Sequence, residues 1–252
     1  MSVLSSQLKV IYPKFQSLFP KLLCGVSTRI GGVSRSPFDL NLSFNVGDDP
    51  ICVTANRERF FGEMGISINR VAITKQVHGS NILSVENPGN FDSCDALISN
   101  SEDLFLAITV ADCLPILLFD KSTNTFAAVH AGWKGSKSRI LEKTIKGMID
   151  KYEVASKNIH AFVGPSAGVC CYEVGQDVAS QFDEQYLVRS EDDKQHLNLK
   201  QFNKELMIMN GISERNIEVA EYCTICNPTL FHSYRREGNN SGRMMAVIGI
   251  SK

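Results

Sequence analysis

Residues 104–152 run LFLAITVADCLPILLFDKSTNTFAAVHAGWKGSKSRILEKTIKGMIDKY. Three short apolar runs, Leu104–Val110, Leu114–Phe119 and Thr125–Val129, have the length and the β-branched and aromatic content of strands. Lys121-Ser-Thr-Asn124 joins the last two as a hairpin. From Ser136 to Tyr152 the period changes. Ile140, Leu141, Ile145, Met148 and Ile149 return at helical spacing with Lys and Glu between them, so an amphipathic helix follows the third strand directly. This order departs from strict βαβ alternation and predicts an α/β fold with a mixed β-sheet and flanking helices.

Working outward, Arg70–Val77, Ile159–Val163, Ile217–Tyr222 and Met244–Ile250 read as further strands. Asp48-Asp49-Pro50 starts a helix whose apolar face includes Phe60, Phe61 and Met64 and which ends near Gly65. Two more helices are predicted near Gly175–Tyr186 and Leu199–Asn210. No repeat, low-complexity tract or Pro/Gly/Ser-rich linker divides the chain, so residues 1–252 read as one domain. With 252 residues, 43% of them hydrophobic, such a chain can bury a full core.

Lys and Arg number 26 against 27 Asp and Glu, a net charge of −1. That balance offers no general field for a nucleic-acid backbone or an anionic membrane, so any anion must be met by local donors. The N-terminus lacks the basic start and apolar run of a secretory signal. Leu104–Val110 and Leu114–Phe119 are interrupted by Ala111-Asp112-Cys113 and closed by Asp120, too short to span a bilayer. A soluble, cytoplasmic protein is expected. The eight cysteines are then reduced thiols, metal ligands or core residues rather than a disulfide framework. Cys223-Thr-Ile-Cys226 is the only C-x-x-C; without a second such pair it reads as packed thiols, and the adjacent Cys170-Cys171 is left open.

Five histidines are present. His160 lies in a strand and His196 in a charged loop, which suits structural or solvent roles, and His232 stands beside Ser233 and Arg235. His78 and His130 differ: each ends an apolar strand where it meets glycine. Cys113 holds a matching place between two apolar runs. Strand ends at one edge of a sheet converge in space, so these three residues can share a site. Two imidazoles and a thiolate suit Zn²⁺ with a fourth position open, the pattern of a catalytic zinc; the same set accepts Cu²⁺. A packing role for all three is the alternative.

Several ordered blocks resemble the YfiH-like family, also called multicopper polyphenol oxidoreductase or laccase-domain proteins, whose members are also described as purine nucleoside phosphorylases. They are Ser27-Thr-Arg-Ile-Gly-Gly-Val-Ser34, Lys75-Gln-Val-His-Gly79, Asp95-Ala-Leu-Ile98, Thr109-Val-Ala-Asp-Cys-Leu-Pro-Ile116, Val129-His-Ala-Gly-Trp-Lys-Gly135, Gly164-Pro165, Cys171-Tyr-Glu-Val-Gly175, Phe231-His-Ser-Tyr-Arg-Arg236 and Ser241-Gly-Arg243. The resemblance implies a single-domain α/β fold, itself similar to the catalytic domain of cytotoxic necrotizing toxins, with zinc on His78, Cys113 and His130. It implies phosphorolysis of adenosine, inosine, guanosine and methylthioadenosine, deamination of adenosine, and a monomer. One departure is Asn45, where the family often has His; an amide neither ligates metal nor titrates in that way.

Five imidazoles cannot furnish both a blue-copper centre and a trinuclear cluster, which excludes a classical multicopper laccase. A copper enzyme oxidising phenols through the same three ligands remains, as does a metal-free hydrolase with Cys113 as nucleophile and His130 as base. For deamination, Asp112 is the candidate acid, its alternative being to fix the ligand loop. For phosphate, Arg29 beside the Gly31-Gly32 turn and Arg236 are expected, with Arg235 and Arg243 as further candidates. Asn45 and Gln76 are assigned to the ribose or base. Trp133 can stack on a purine but is expected to pack beneath its turn.

Overall fold

The structure, a computed structural model, describes residues 7–252. Strands Phe105–Val110 and Leu114–Asp120 are buried almost throughout, and apolar strands of this kind require cover on both faces. Each lies inside a different six-stranded sheet. The first sheet has the order Val10–Ile11, Leu22–Ser27, Met244–Ile250, Phe105–Val110, Val71–Lys75, Gly89–Asp92. The second has the order Ile217–Val219, His160–Val163, Leu114–Asp120, Thr125–Ala131, Ala96–Ser99, Ile82–Ser84. Both combine parallel with antiparallel pairs. The mixed α/β fold is as expected, but its one sheet is divided into two, with a small three-stranded sheet beside them.

Alternation along the strands builds the layers. Leu106, Ile108 and Val110 meet Leu117, Phe119, Phe126 and Ala128 in a core between the two large sheets. The odd positions Phe105 and Ala107 face the other way, onto Phe60 and Phe61 of helix Pro50–Glu63. Ile116, Leu118, Ala127 and Val129 lie under Ile140, Leu141, Ile145 and Met148 of helix Ile140–Tyr152. Each of the larger side chains among these contributes about 2 kcal/mol of burial. The result is a rigid helix–sheet–sheet–helix sandwich from whose edge short connections project.

The 114–131 hairpin is present, with register from Leu114↔Ala131 to Asp120↔Thr125. It runs past the expected Val129, so His130 is a strand residue. The helix expected over Ser136–Tyr152 is two, Trp133–Lys137 and Ile140–Tyr152, because Arg139 adopts a left-handed backbone (φ 62°) between them. The expected Gly175–Tyr186 helix is broken into a short α-helix, Gln176–Ala179, and a 3-10 turn, Glu184–Tyr186. Leu199–Met209 matches its expectation. Strand Val71–Lys75 stops early because the Gln76 side chain takes over the pairing: its Oε1 accepts from Thr109 N–H at 2.9 Å and its Nε2 donates to Thr109 O at 2.8 Å. Among the described residues no helix is long and apolar enough to cross a membrane.

Candidate active site

Three connections bring the sequence-predicted ligands together. His130 is the penultimate residue of the Thr125–Ala131 strand. Cys113 sits in the turn between Phe105–Val110 and Leu114–Asp120, next to Asp112 at φ 81°, and His78 follows the Val71–Lys75 strand at φ 58°. Both left-handed residues reverse the chain sharply at the sheet edge. One ligand atom from each of His78, Cys113 and His130 lies within 4.8 Å of the others. The two rings stand edge to face, 4.8 Å between centroids. Gly132 makes room for the thiol, since a Cβ there would lie 3.0 Å from Cys113 Sγ.

Asp95, a fully buried carboxylate at the start of strand Ala96–Ser99, organises this cluster. Its oxygens accept the backbone N–H groups of Val77 (3.2 Å), His78 (2.9 Å) and Gly79 (2.8 Å). The same carboxylate accepts His130 Nδ1–H at 2.8 Å. That bond assigns the proton of His130 to Nδ1 and turns Nε2 toward the cluster, the arrangement seen behind metal-ligating histidines. Although it stands in one of the blocks quoted above, Asp95 carried no role in the sequence reading; the available signal was a lone acid leading directly into an apolar strand.

Burial opposes ionisation of Cys113, but the neighbouring His130 cation and hydrogen bonds from both histidines outweigh it and hold the thiol down at about 6. Burial also disfavours the His130 cation, yet the Cys113 thiolate and the Asp95 carboxylate raise it to about 9. Asp95 itself is desolvated, but the His130 and Gly79 hydrogen bonds keep it below the usual carboxylate range. The thiolate is the form that ligates metal, whereas His130, oriented by Asp95, releases its Nε2 proton when a metal binds.

The cluster opens into a cavity of about 490 Å³ whose walls include Asn45, Gln76, Asp112, Trp133, Tyr172, Tyr234, Arg235 and Arg243. Arg29 and Arg236 are not among them, which corrects the expectation for both. Arg29 is held by Asp39 and Glu237, each at 2.7 Å, and by the carbonyls of Pro37 and Pro228. Arg236 donates to the carbonyls of Thr224, Ile225 and Phe231 and to Glu237. Nor is the glycine turn an open cradle, because a Cβ on Gly32 would lie 2.1 Å from Asp39 O. Arg235 and Arg243 take their place: neither pairs with a carboxylate among the described residues, and they lie over the rings of Tyr172 and Tyr234.

Asp112 takes the alternative role of fixing the ligand loop. Its carboxylate accepts from Thr224 Oγ1 (2.6 Å), Ser233 Oγ (3.0 Å) and Arg235 N–H (2.7 Å), so it tethers three segments rather than offering a free acid. Gln76 lines the cavity but its amide is largely committed to Thr109. Asn45 is exposed at the rim, with no side-chain hydrogen bond among the described residues. Trp133 both lines the cavity and packs on the helix-side core. His160 packs on Phe15 and Phe19, and His196, in a short strand rather than a loop, donates to Val169 O. His232 is completely buried and kept below its ordinary titration range by burial.

A layered α/β sandwich with a three-donor His–Cys–His cluster above a polar cavity defines a protein with a candidate transition-metal site for small molecules. The chain belongs to the YfiH-like family, described as multi-copper polyphenol oxidoreductase laccase, whose profile matches residues 23–251. A purine nucleoside phosphorylase of Deinococcus radiodurans is 38% identical over 232 residues, 90% of this chain and 88% of that protein. The purine nucleoside phosphorylase YfiH of Escherichia coli is 34% identical over 247 residues, 95% of this chain and 98% of that one. The crystal structure of hypothetical protein YfiH from Bacillus licheniformis is similar with a TM-score of 0.90 at 28% identity, covering 98% of this chain and 97% of that one.

Proposed function

We propose that this chain is a zinc-dependent purine nucleoside phosphorylase, acting on adenosine, inosine, guanosine and methylthioadenosine, and that the same site deaminates adenosine. The observation that carries this reading is the composition of one cavity: a metal-fitting cluster, two guanidiniums without carboxylate partners, and three aromatic rings. His78, Cys113 and His130 would hold the zinc, since two imidazoles and a thiolate match its ligand preference and three donors leave a position for a non-protein ligand. Bound there, zinc supplies a Lewis acid that polarises a reactant and lowers the pKa of water.

The remaining residues bind and orient. Arg235 and Arg243 take the phosphate by charge-assisted hydrogen bonds. In phosphorolysis a phosphate oxygen bonds to C1′ of the ribose as the bond from C1′ to the purine nitrogen breaks; the base leaves with that electron pair and takes up a proton. Trp133, Tyr172 and Tyr234 enclose the flat base and exclude water, and Asn45 offers a free amide to the ribose or base. In deamination water replaces the exocyclic amine, which departs as ammonia. Nucleosides and inorganic phosphate are its partners in this reading, which takes the protein to be a cytoplasmic monomer.

The Asp95–His130 hydrogen bond beside Cys113 favours one second reading, a metal-free hydrolase with Cys113 as nucleophile. His78 separates the two, because a Cys–His–Asp relay does not need it. Metal content and phosphate-dependent release of hypoxanthine from inosine are measured for the wild type, before and after chelation, and for His78→Ala. Loss of one zinc equivalent together with base release in His78→Ala is the expected result. Copper at the site with phenol oxidation and no base release would overturn the proposal, and hydrolysis that survives His78→Ala would favour the second reading.

A further inference from the structure

The two cysteine pairs outside this site meet in space. The Sγ atoms of Cys170, Cys171, Cys223 and Cys226 all lie within 4.8 Å of one another. Cys226 Sγ is 3.0 Å from Cys171 Sγ and 3.3 Å from Cys170 Sγ. The packed-thiol expectation for Cys223-Thr-Ile-Cys226 does not hold: Cys170 and Cys226 are exposed and only Cys223 is buried. The second pair that the sequence lacked is the adjacent Cys170-Cys171, brought alongside by the bridge between Ser166 and Cys223.

The four sulfurs are grouped closely enough to close on one tetrahedral metal, with the two short Cys226 contacts opening by about 0.5–0.8 Å as it binds. With metal–sulfur bonds of about 2.3 Å, tetrahedral thiolates sit about 3.8 Å apart. The surrounding backbone fits as well. Gly168 N–H donates to Cys223 Sγ at 3.2 Å, and the amides of Ile225 and Cys226 point at the same sulfur. Amide donors of this kind support a ligating thiolate. Lys200, whose ammonium is held by the carbonyls of Ala220 (2.7 Å) and Tyr222 (2.8 Å), stands near Cys223 and Cys170 and offsets part of the charge of four thiolates. A disulfide would use two of the four sulfurs, whereas Cys226 faces two neighbours at once.

We propose that Cys170, Cys171, Cys223 and Cys226 bind a structural zinc ion in a closed tetrathiolate site separate from the His78–Cys113–His130 cluster. The thiols release their protons to solvent as the ion binds. It cross-links the loop carrying Tyr172 to the turn carrying Thr224, whose hydroxyl donates to Asp112 beside Cys113. One wall of the cavity is thereby fastened. The assignment does not depend on which reaction the cavity performs.

Zinc per chain is counted in the wild type, Cys171→Ser, Cys226→Ser and His78→Ala, all purified under reductant, and cobalt-substituted samples are compared by visible absorption. Each cysteine variant is expected to lose one equivalent, while His78→Ala keeps the thiolate-bound one. The thiolate-to-cobalt charge-transfer bands persist in His78→Ala and weaken sharply in Cys226→Ser. Unchanged zinc and cobalt spectra in Cys226→Ser overturn the proposal, as does a Cys226 disulfide in the reduced wild type. If the variants fail to fold, the wild type decides. Chelation should expose four reactive thiols besides Cys113 and accelerate hydrogen exchange across residues 164–172 and 223–227; no change in either overturns it.

Discussion

Four donors converge on Asp95, and three of them are successive backbone amides of the segment that presents His78. Asn at this position would face those N–H groups with one oxygen and an amine of its own. Asp95→Asn should lower stability by about 3 kcal/mol in urea unfolding and metal affinity by about 10- to 100-fold in competitive chelator titration. The two arginines at the cavity act differently, because their guanidiniums pair with no carboxylate among the described residues. Arg243→Met is expected to raise the phosphate KM about tenfold or more while shifting the nucleoside KM little, as steady-state kinetics will show. His78, Cys113 and His130 were legible because each places a borderline ligand at the end of an apolar run. Arg29 and Arg236 do not line the cavity, which the sequence could not show for a physical reason: an arginine looks the same in sequence whether its partner is phosphate or a partly buried Glu237, which holds both here.

At the scale of elements, the short connections set the geometry of the cluster. Gly132 has ordinary backbone angles (φ −72°), so a substitution there tests space rather than strain. Its Cβ would press on Cys113 Sγ at 3.0 Å and approach His78 Cδ2 at 3.5 Å. Gly132→Ala should weaken metal binding about tenfold with a loss of no more than about 1 kcal/mol in stability, checked by chelator competition beside thermal unfolding. The elements were readable where the apolar pattern is strong, as continuous runs in the 114–131 hairpin and at helical spacing in helix Leu199–Met209. Two central strands were not read at all: Leu22–Ser27 carries a glycine and a serine, and Ala96–Ser99 is only four residues long. Local pattern is weak in such segments, and cross-strand pairing decides them.

Across the whole molecule, Glu237 joins distant parts of the chain, accepting from Arg29 and Arg236 and from the backbone of Ser233. Burial pushes its carboxyl up, but the neighbouring His232 and the hydrogen bonds from Arg236 and Arg29 outweigh that and hold it far below the usual carboxylate range. A depressed folded-state value means stability that is complete above the unfolded value, about 4.3, and is lost as pH falls toward the folded one. Glu237→Gln should therefore destabilise by about 3 kcal/mol at pH 7, with the gap to wild type narrowing below about pH 4. Urea midpoints across that range measure it.

The order of residues by itself determined the mixed α/β class, the hairpin and the amphipathic segments, and marked His78, Cys113 and His130 as candidate ligands at strand ends, since burial on a sheet or helix face is written locally into the order of apolar side chains. Only the tertiary structure decided that Asp95 stands behind His130, that Arg235 and Arg243 rather than Arg29 and Arg236 face the cavity, and that four cysteines from two loops form one cluster. Those outcomes depend on which polar groups meet when sheets pack, and buried polar groups take partners from any distance along the chain.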